Sequence, residues 1–179
     1  DAVGRGAIVV AAAGNARVDT KYFAPGGCDN VISVAASDAR GVLTPYSNFG
    51  AKVSILAPGG DMTRDDDGDQ RPDGILSTKF STNCYDPAKP GVQVPQCYYA
   101  YENGTSMAAP HVSAALALIK AKFPGLAPSQ LKERLLQALK LIGRLQNREA
   151  GWPHNPVPYA AYVSVTICQI MALRSARNA

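Results

Sequence analysis

Short apolar runs that end in turn residues recur in the first third of the chain. They are Ala7–Ala13, Val31–Ala36 and Lys52–Ala57. The first run has no polar alternation, which is typical of a strand buried on both faces, as in a parallel sheet. The pattern predicts a strand at each run and a shorter extended piece at Ile75–Thr78.

Helical patterns follow these strands. Met107–Ile119 is apolar on nearly every side, which predicts a helix buried all round, with Pro110 in its first turn. Pro128–Leu139 carries a leucine stripe opposite polar residues and has proline at a favourable first position. Strands followed by a buried helix, without the spacing of hairpins, predict a layered α/β domain.

Composition narrows the class of protein. The 179 residues, 46% of them hydrophobic, suit one globular domain. The net charge of +4 is small and scattered, so we expect no nucleic-acid partner. The most apolar long stretch, Val157–Leu173, contains polar residues and is shorter than the roughly 20 residues of a spanning helix, so we expect no membrane partner. No secretory leader pattern opens the chain.

The segment Asn103–Val112 has the most specific chemical pattern. A glycine turn places Ser106 in the first turn of the predicted helix. Backbone N–H groups are unpaired there, and the amino-terminal end of the helix dipole carries partial positive charge. A hydroxyl there can attack a carbonyl carbon while nearby N–H groups hold the oxyanion. The alternative is a serine that only caps the helix.

A second polar group follows the first predicted strand. Asn15 comes after Ala12, Ala13 and Gly14, and side chains at the carboxyl end of a parallel strand face the ligand crevice. Its amide can donate to a developing negative oxygen. On this segment alone, the alternative is an ordinary turn asparagine.

Together these segments resemble the subtilisin-like serine proteases. Gly104–Ser113 resembles the nucleophile signature of that family, and Ala12–Asn15 its oxyanion-hole signature. Tyr46–Gly50 and Leu56–Gly59 match further landmarks in the family's order. The resemblance covers about Gly6–Leu139 and implies a three-layer α/β fold with a mostly parallel sheet and flanking helices, here incomplete.

The resemblance implies a serine endopeptidase that cleaves proteins or peptides through an acyl-enzyme on Ser106. Asn15 is then the side-chain oxyanion donor, and the backbone N–H of Ser106 is the second donor. The substrate-binding positions that the resemblance implies are Ala12, Ala13, Gly14, Gly104 and Thr105.

The sequence lacks a visible general base. The family order is Asp, His, Ser, yet no Asp-Thr-Gly or His-Gly-Thr segment precedes Ser106. His111 lies about 140° around the predicted helix from Ser106, and His154 is typical of a surface loop. A serine without a base is barely nucleophilic at neutral pH. We therefore expect the chain alone to be inactive, with base and acid supplied by a missing amino-terminal half.

We interpret residues 1–139 as the carboxyl-terminal part of the catalytic domain and residues 140–179 as an unassigned tail. Two other functions stay open. One is a non-catalytic module that keeps the fold and binds a partner. The other is an unrelated serine hydrolase, although Ser106 lacks the Gly-x-Ser-x-Gly elbow.

The loop Asp65–Asp73 alternates carboxylates around a glycine turn, a pattern that suits Ca²⁺. We expect a structural calcium ion, with carboxylates at relative positions 1, 3, 5 and 9 as ligands; these are Asp65, Asp67, Asp69 and Asp73. The twelfth position is Leu76 instead of glutamate, so the loop is not an EF-hand. A solvated acidic loop is the alternative.

The chain's four cysteines lack the CxxC spacing of a zinc site. Cys84 and Cys97 bracket a proline-rich loop, and a disulfide between them would indicate an oxidising compartment. The resemblance implies that Cys28 pairs with a cysteine upstream of Asp1. We expect a secreted protein; four reduced thiols are the alternative to the disulfides.

Overall fold

The structure, a computed structural model, describes residues 2–85 and 93–145. The side chains of residues 81–97 and 138–145 lie outside the described part. The predictions for His154, for the tail beyond residue 145 and for a Cys84–Cys97 disulfide therefore fall on residues or side chains that are not described, and they stay predictions.

A parallel sheet is formed by the predicted strands of the first third of the chain. Its strands β1 (Val10–Ala12), β2 (Ile32–Ser37) and β3 (Val53–Pro58) lie in that order. β1 is shorter than the predicted Ala7–Ala13. β2 is the central strand, between β1 and β3, and all six of its residues are buried. This agrees with its apolar sequence, which is typical of a strand buried on both faces of a sheet. A single 3₁₀ turn, Thr20–Tyr22, follows β1.

Two helices complete the α/β unit and confirm the predicted fold class. α1 (Thr105–Lys122) packs against the sheet, and α2 (Pro128–Leu145) packs against α1. The core between them is aliphatic and comprises Ile32, Val34, Ala36, Ala57, Ala108, Val112, Ala115, Leu116, Leu131 and Leu135. Within the described part of the chain, no helix has the length and apolarity that a bilayer crossing requires.

Both helices differ from the prediction in detail. α1 is not buried all round: Ala114, Ala117 and Leu118 are exposed on the described chain. α1 also begins at Thr105, so Pro110 lies in its second turn instead of its first. α2 continues to Leu145, past the predicted end at Leu139.

An antiparallel hairpin precedes α1, although the sequence indicated no hairpin. β4 (Ile75–Tyr85) is much longer than the predicted Ile75–Thr78, and β5 (Gln93–Glu102) includes residues interpreted as part of a proline-rich loop. Ile75 pairs with Glu102, which places the base of the hairpin beside the segment that carries Ser106. In this register Cys97 lies opposite Phe80, and Cys84 lies opposite Val94.

Candidate active site

Ser106 is the second residue of α1, and its side chain is exposed. The residue that caps the helix, Gly104, has φ +152° and donates its N–H to the carbonyl of Gly59 at 2.9 Å. This bond ties the start of α1 to the turn that ends β3. Within the described residues, no group hydrogen-bonds the Ser106 hydroxyl, which therefore faces solvent at the helix N-terminus.

Asn15 lies just beyond the end of β1, and its carboxamide has a defined orientation. Its Oδ1 accepts hydrogen bonds from the backbone N–H and the hydroxyl of Thr105, each at 2.9 Å. Because a backbone N–H donates only to an acceptor, this contact identifies the oxygen and turns Nδ2 the other way. Thr105 Oγ1 in turn accepts the N–H of Gly14 at 3.1 Å, so a buried threonine joins β1 to α1.

The Asn15 amide and the first turn of α1 face one small space. A methyl carbon added to Gly104 would lie 3.4 Å from Asn15 Nδ2 and 3.7 Å from the backbone nitrogen of Ser106. Both nitrogen atoms are donors, and Met107 Sδ, also 3.7 Å from the added carbon, borders the same space. Two N–H donors that face one space are the kind of arrangement that stabilises an anionic oxygen.

The residues predicted to form a substrate-pocket wall differ in exposure. Ala13 is fully buried, Gly14 is buried and Ala12 is half-buried. Gly14 has φ +106°, and a Cβ there would lie 2.3 Å from Asn48 Nδ2 and 2.9 Å from the ring of Phe23. Only glycine fits this position, both sterically and conformationally.

Sequence reasoning matched Tyr46 and Asn48 to a family landmark but assigned them no role. The hydroxyl of Tyr46 donates to the carbonyl of Gly60 at 2.6 Å and lies 3.1 Å from that of Gly59. Since Gly59 also accepts the N–H of Gly104, Tyr46 supports the turn beneath the nucleophile. Burial raises the pKa of the Tyr46 hydroxyl, which therefore stays a donor at neutral pH.

His111 is engaged with its own helix. Its Nδ1 lies 2.8 Å from the carbonyl of Met107, four residues earlier. The half-buried ring lines a cavity of about 400 Å³, together with Tyr101 and several residues of the acidic loop. Nothing in this geometry couples His111 to the Ser106 hydroxyl.

The acidic loop brings together part of its predicted ligand set. Carboxylate oxygens of Asp65, Asp67 and Asp73 lie within 4.8 Å of one another. Asp69 is not in this group, and its carboxylate accepts the N–H of Arg71 at 2.8 Å. The structure thus brings together three of the four carboxylates predicted as ligands.

Two carboxyl groups in this loop have pKa values that are shifted in opposite directions. Burial raises the pKa of Asp73, and the negative charges of its neighbours Asp66, Asp67 and Asp65 raise it further. The Asp66 carboxylate instead hydrogen-bonds Arg64, which lowers its pKa. The three clustered carboxylates have no such cationic partner among the described ion pairs.

Comparisons with known proteins identify similar sequences. The model of the Subtilase family matches residues 1–153. An extracellular protease of Xanthomonas campestris is 38% identical over 136 residues, which cover 76% of this chain and 20% of that protein. An extracellular basic protease of Dichelobacter nodosus is 38% identical over 145 residues, covering 78% and 21%. Subtilisin DY of Bacillus licheniformis is 33% identical over 141 residues, covering 77% and 41%.

A solved structure gives the same result. A protease from Pseudoalteromonas arctica superimposes with a TM-score of 0.60 at 31% sequence identity, covering 90% of this chain and 43% of that chain. The chain thus spans between about a fifth and two fifths of the length of the curated relatives named above.

Proposed function

Because the chain belongs to the subtilase family, we propose that it carries the nucleophile and the oxyanion hole of a secreted serine endopeptidase. One observation supports this most directly. Asn15 Nδ2 and the Ser106 backbone nitrogen both border the space that Gly104 leaves open, beside an exposed serine hydroxyl. Such a pair of donors suits the oxyanion of acyl transfer.

The reaction follows from these positions. Ser106 Oγ attacks the carbonyl carbon of the scissile peptide bond, and the carbonyl oxygen becomes the oxyanion between Asn15 Nδ2 and the Ser106 N–H. Collapse of the adduct expels the amine, which takes up the proton that the base removed from Ser106, and leaves an acyl group on Ser106. A water molecule then loses a proton to the base and attacks the acyl-enzyme, and collapse of this second adduct releases the carboxylic acid and returns the proton to Ser106.

Ser106 needs a base to accept its proton. His111 Nδ1 is hydrogen-bonded to the carbonyl of Met107, and none of the described hydrogen bonds joins His111 to Ser106. In the family the acid and the base precede the serine in the order Asp, His, Ser. We therefore assign them to an amino-terminal part of the catalytic domain, which would also cover the exposed face of α1 at Ala114, Ala117 and Leu118.

Export from the cell is part of the proposal. The Xanthomonas and Dichelobacter relatives are named extracellular proteases. An oxidising medium would also permit the predicted Cys84–Cys97 disulfide. Polypeptides are the proposed substrates, since the relatives named above are proteases.

A fluorophosphonate probe tests the function on the natural protein that contains this chain. Such probes react with a serine only when a base activates it and an oxyanion hole holds the adduct. We expect one modified peptide, carrying the label on Ser106. Labelling of a different serine, or absence of label in a preparation that digests casein, contradicts the assignment. A folded protein that neither reacts nor digests casein favours the non-catalytic module.

We further propose that Asp65, Asp67 and Asp73 bind one structural Ca²⁺. Their oxygen atoms are the ligands this ion prefers, and burial together with repulsion from the neighbouring carboxylates raises the pKa of Asp73. The ion would supply the positive charge that these carboxylates lack among the described ion pairs.

Calcium is expected to stabilise the EDTA-treated protein at pH 7. At a hundredfold excess over Kd, the thermal midpoint should rise by about 5–10 °C. Asp67→Asn should weaken this shift, whereas Asp69→Asn, in the same loop but outside the cluster, should preserve it. Calorimetric titration that shows no heat, together with an unchanged midpoint, contradicts the site.

The effect of calcium should also depend on pH. The folded state raises the pKa of Asp73, so the neutral acid is favoured, and that contribution to stability is lost as pH rises through the folded pKa. Calcium binds the ionised carboxylate and compensates for this loss. The calcium-induced shift in midpoint should therefore be larger at pH 7 than at pH 4.

A further inference from the structure

We propose that Asn48 is a positioning residue that holds the oxyanion donor Asn15 in place by clamping the chain on both sides of it. This inference rests on the proposed function, because it concerns the donor of the same site. Asn48 lies more than thirty residues from Asn15 in sequence and touches neither the proposed substrate nor Ser106 in the contacts described.

The side chain of Asn48 makes a hydrogen bond before Asn15 and two after it. Its Nδ2 donates to the carbonyl of Ala13 at 2.8 Å. Its Oδ1 accepts the N–H of Ala16 at 3.0 Å and the N–H of Val18 at 3.1 Å. The Asn48 backbone N–H adds a fourth bond, to the carbonyl of Gly14 at 2.8 Å. Asn15 is therefore the one residue of the segment 13–16 whose backbone Asn48 does not bind.

The clamped segment has no regular secondary structure. Residues 15–18 lie outside any helix or strand and are exposed, and Arg17 adopts φ +52°, a conformation uncommon for a non-glycine residue. Arg17 and Val18 have further hydrogen bonds to residues 45, 46 and 49, whereas the bonds to residues 13, 14 and 16 named above come from Asn48. Asn48, in contrast, is fully buried. A buried carboxamide is costly unless its donors and acceptor are satisfied, so its bonds to this segment are strongly favoured over alternatives.

The clamp is also specific for asparagine. A carboxamide presents a donor toward Ala13 and an acceptor toward Ala16 and Val18 at once. Aspartate keeps the acceptor but turns a second oxygen toward the Ala13 carbonyl, and serine is too short to span the segment. Asn48 Nδ2 also packs so closely on Gly14 that a Cβ added there would lie 2.3 Å from it.

The position of Asn15 matters because oxyanion stabilisation is steeply geometric. Thr105 orients the carboxamide of Asn15, whereas Asn48 fixes the backbone from which that carboxamide extends. A displacement near 1 Å at such a site can cost about a hundredfold in rate. Loss of Asn48 should therefore lower kcat through Asn15 and leave ground-state substrate binding nearly unchanged.

A double-mutant cycle on the natural protein tests this. Asn48→Ser is expected to lower kcat about 10- to 100-fold with KM within about twofold of wild type. In an Asn15→Ala background, the same Asn48 substitution should change kcat by less than about threefold, because the donor it positions is gone. An equal fold-loss in both backgrounds overturns the inference.

A matched control separates positioning from general destabilisation. Leu135 is also fully buried, but it lies in the aliphatic core on α2 and makes no hydrogen bond to residues 13–18. Leu135→Ala should lower the thermal midpoint but leave kcat within about twofold of wild type. If Leu135→Ala lowers kcat as much as Asn48→Ser does, Asn48 has no special role.

Hydrogen exchange of the unmodified protein tests the clamp without relying on a variant that folds. The N–H groups of Ala16 and Val18 lie in an exposed segment but donate to a buried acceptor, so they should exchange at least about a hundredfold slower than free amides. Free exchange at both contradicts the clamp. An unreactive wild-type protein contradicts the proposed function instead, so the two failures are distinguishable.

Discussion

Replacing Ser106 with alanine is expected to reduce peptide hydrolysis by the natural protein about 10⁴-fold or more and to abolish labelling by a fluorophosphonate. In the proposed mechanism the hydroxyl oxygen of Ser106 forms the acyl bond, which alanine cannot form. Folding should be unaffected, because the Ser106 side chain is exposed and receives no hydrogen bond from the described residues. Rates measured on a chromogenic peptide, with the thermal midpoint recorded in parallel, check this.

Ser113 provides the matched control. It lies on the same helix, is also exposed, and donates its hydroxyl to the carbonyl of Ala109. Ser113→Ala should retain the wild-type kcat and the wild-type labelling. Substantial hydrolysis by Ser106→Ala, or an equal loss in Ser113→Ala, would contradict the assignment of the nucleophile.

Replacing Asn15 with alanine is expected to lower kcat about 10²- to 10³-fold while KM changes little. The lost amide donates to an oxygen whose charge develops only in the transition state, so substrate binding does not depend on it. Steady-state kinetics on one peptide substrate give both parameters.

Asn15→Asp distinguishes this role from a structural one. Aspartate retains an oxygen that can accept from the N–H and hydroxyl of Thr105, but it replaces the donor with a second, negative oxygen. If Asn15 only joins β1 to α1, the aspartate variant should be nearly as active as wild type. If Asn15 donates to the oxyanion, that variant should be at least as impaired as the alanine variant.

The elements that the sequence predicted well are those with a local signal. A short stretch of sequence is enough to recognise each of these elements. Strands β1, β2 and β3 are recognised by their apolar runs, and α2 by its leucine stripe. The segment around Ser106 was also predictable, because the residues that determine its geometry are neighbours in sequence. Gly104, with φ +152°, and the start of α1 at Thr105 directly precede the serine. Their bounds shifted because the ends of elements depend on tertiary contacts.

The β4–β5 hairpin escaped prediction because its sequence gives a mixed signal. Polar residues such as Ser77, Thr78 and Lys79 alternate only weakly with apolar ones, and Pro95 argues against a strand. The hairpin is stabilised by hydrogen bonding between its two strands, and the Lys79 ammonium also donates to the Glu102 carboxylate on the opposite strand. Neither strand predicts this pairing from its own sequence.

The contacts that orient the candidate site could not be predicted from local sequence patterns either. Asn48 and Asn15 lie far apart in sequence, and a polar residue in a turn-rich segment is usually exposed. The position of Asp69 is a related case. Its spacing placed it with the other carboxylates, but in the structure its carboxylate lies outside their cluster and accepts the N–H of Arg71.

Gly14 has a practical consequence for protein engineering. A library that varies the proposed substrate pocket should keep glycine at this position, because any β-carbon would collide with Asn48 and Phe23 and would need a left-handed backbone. Variation is better placed at the half-buried Ala12, which is another of the proposed substrate-binding positions.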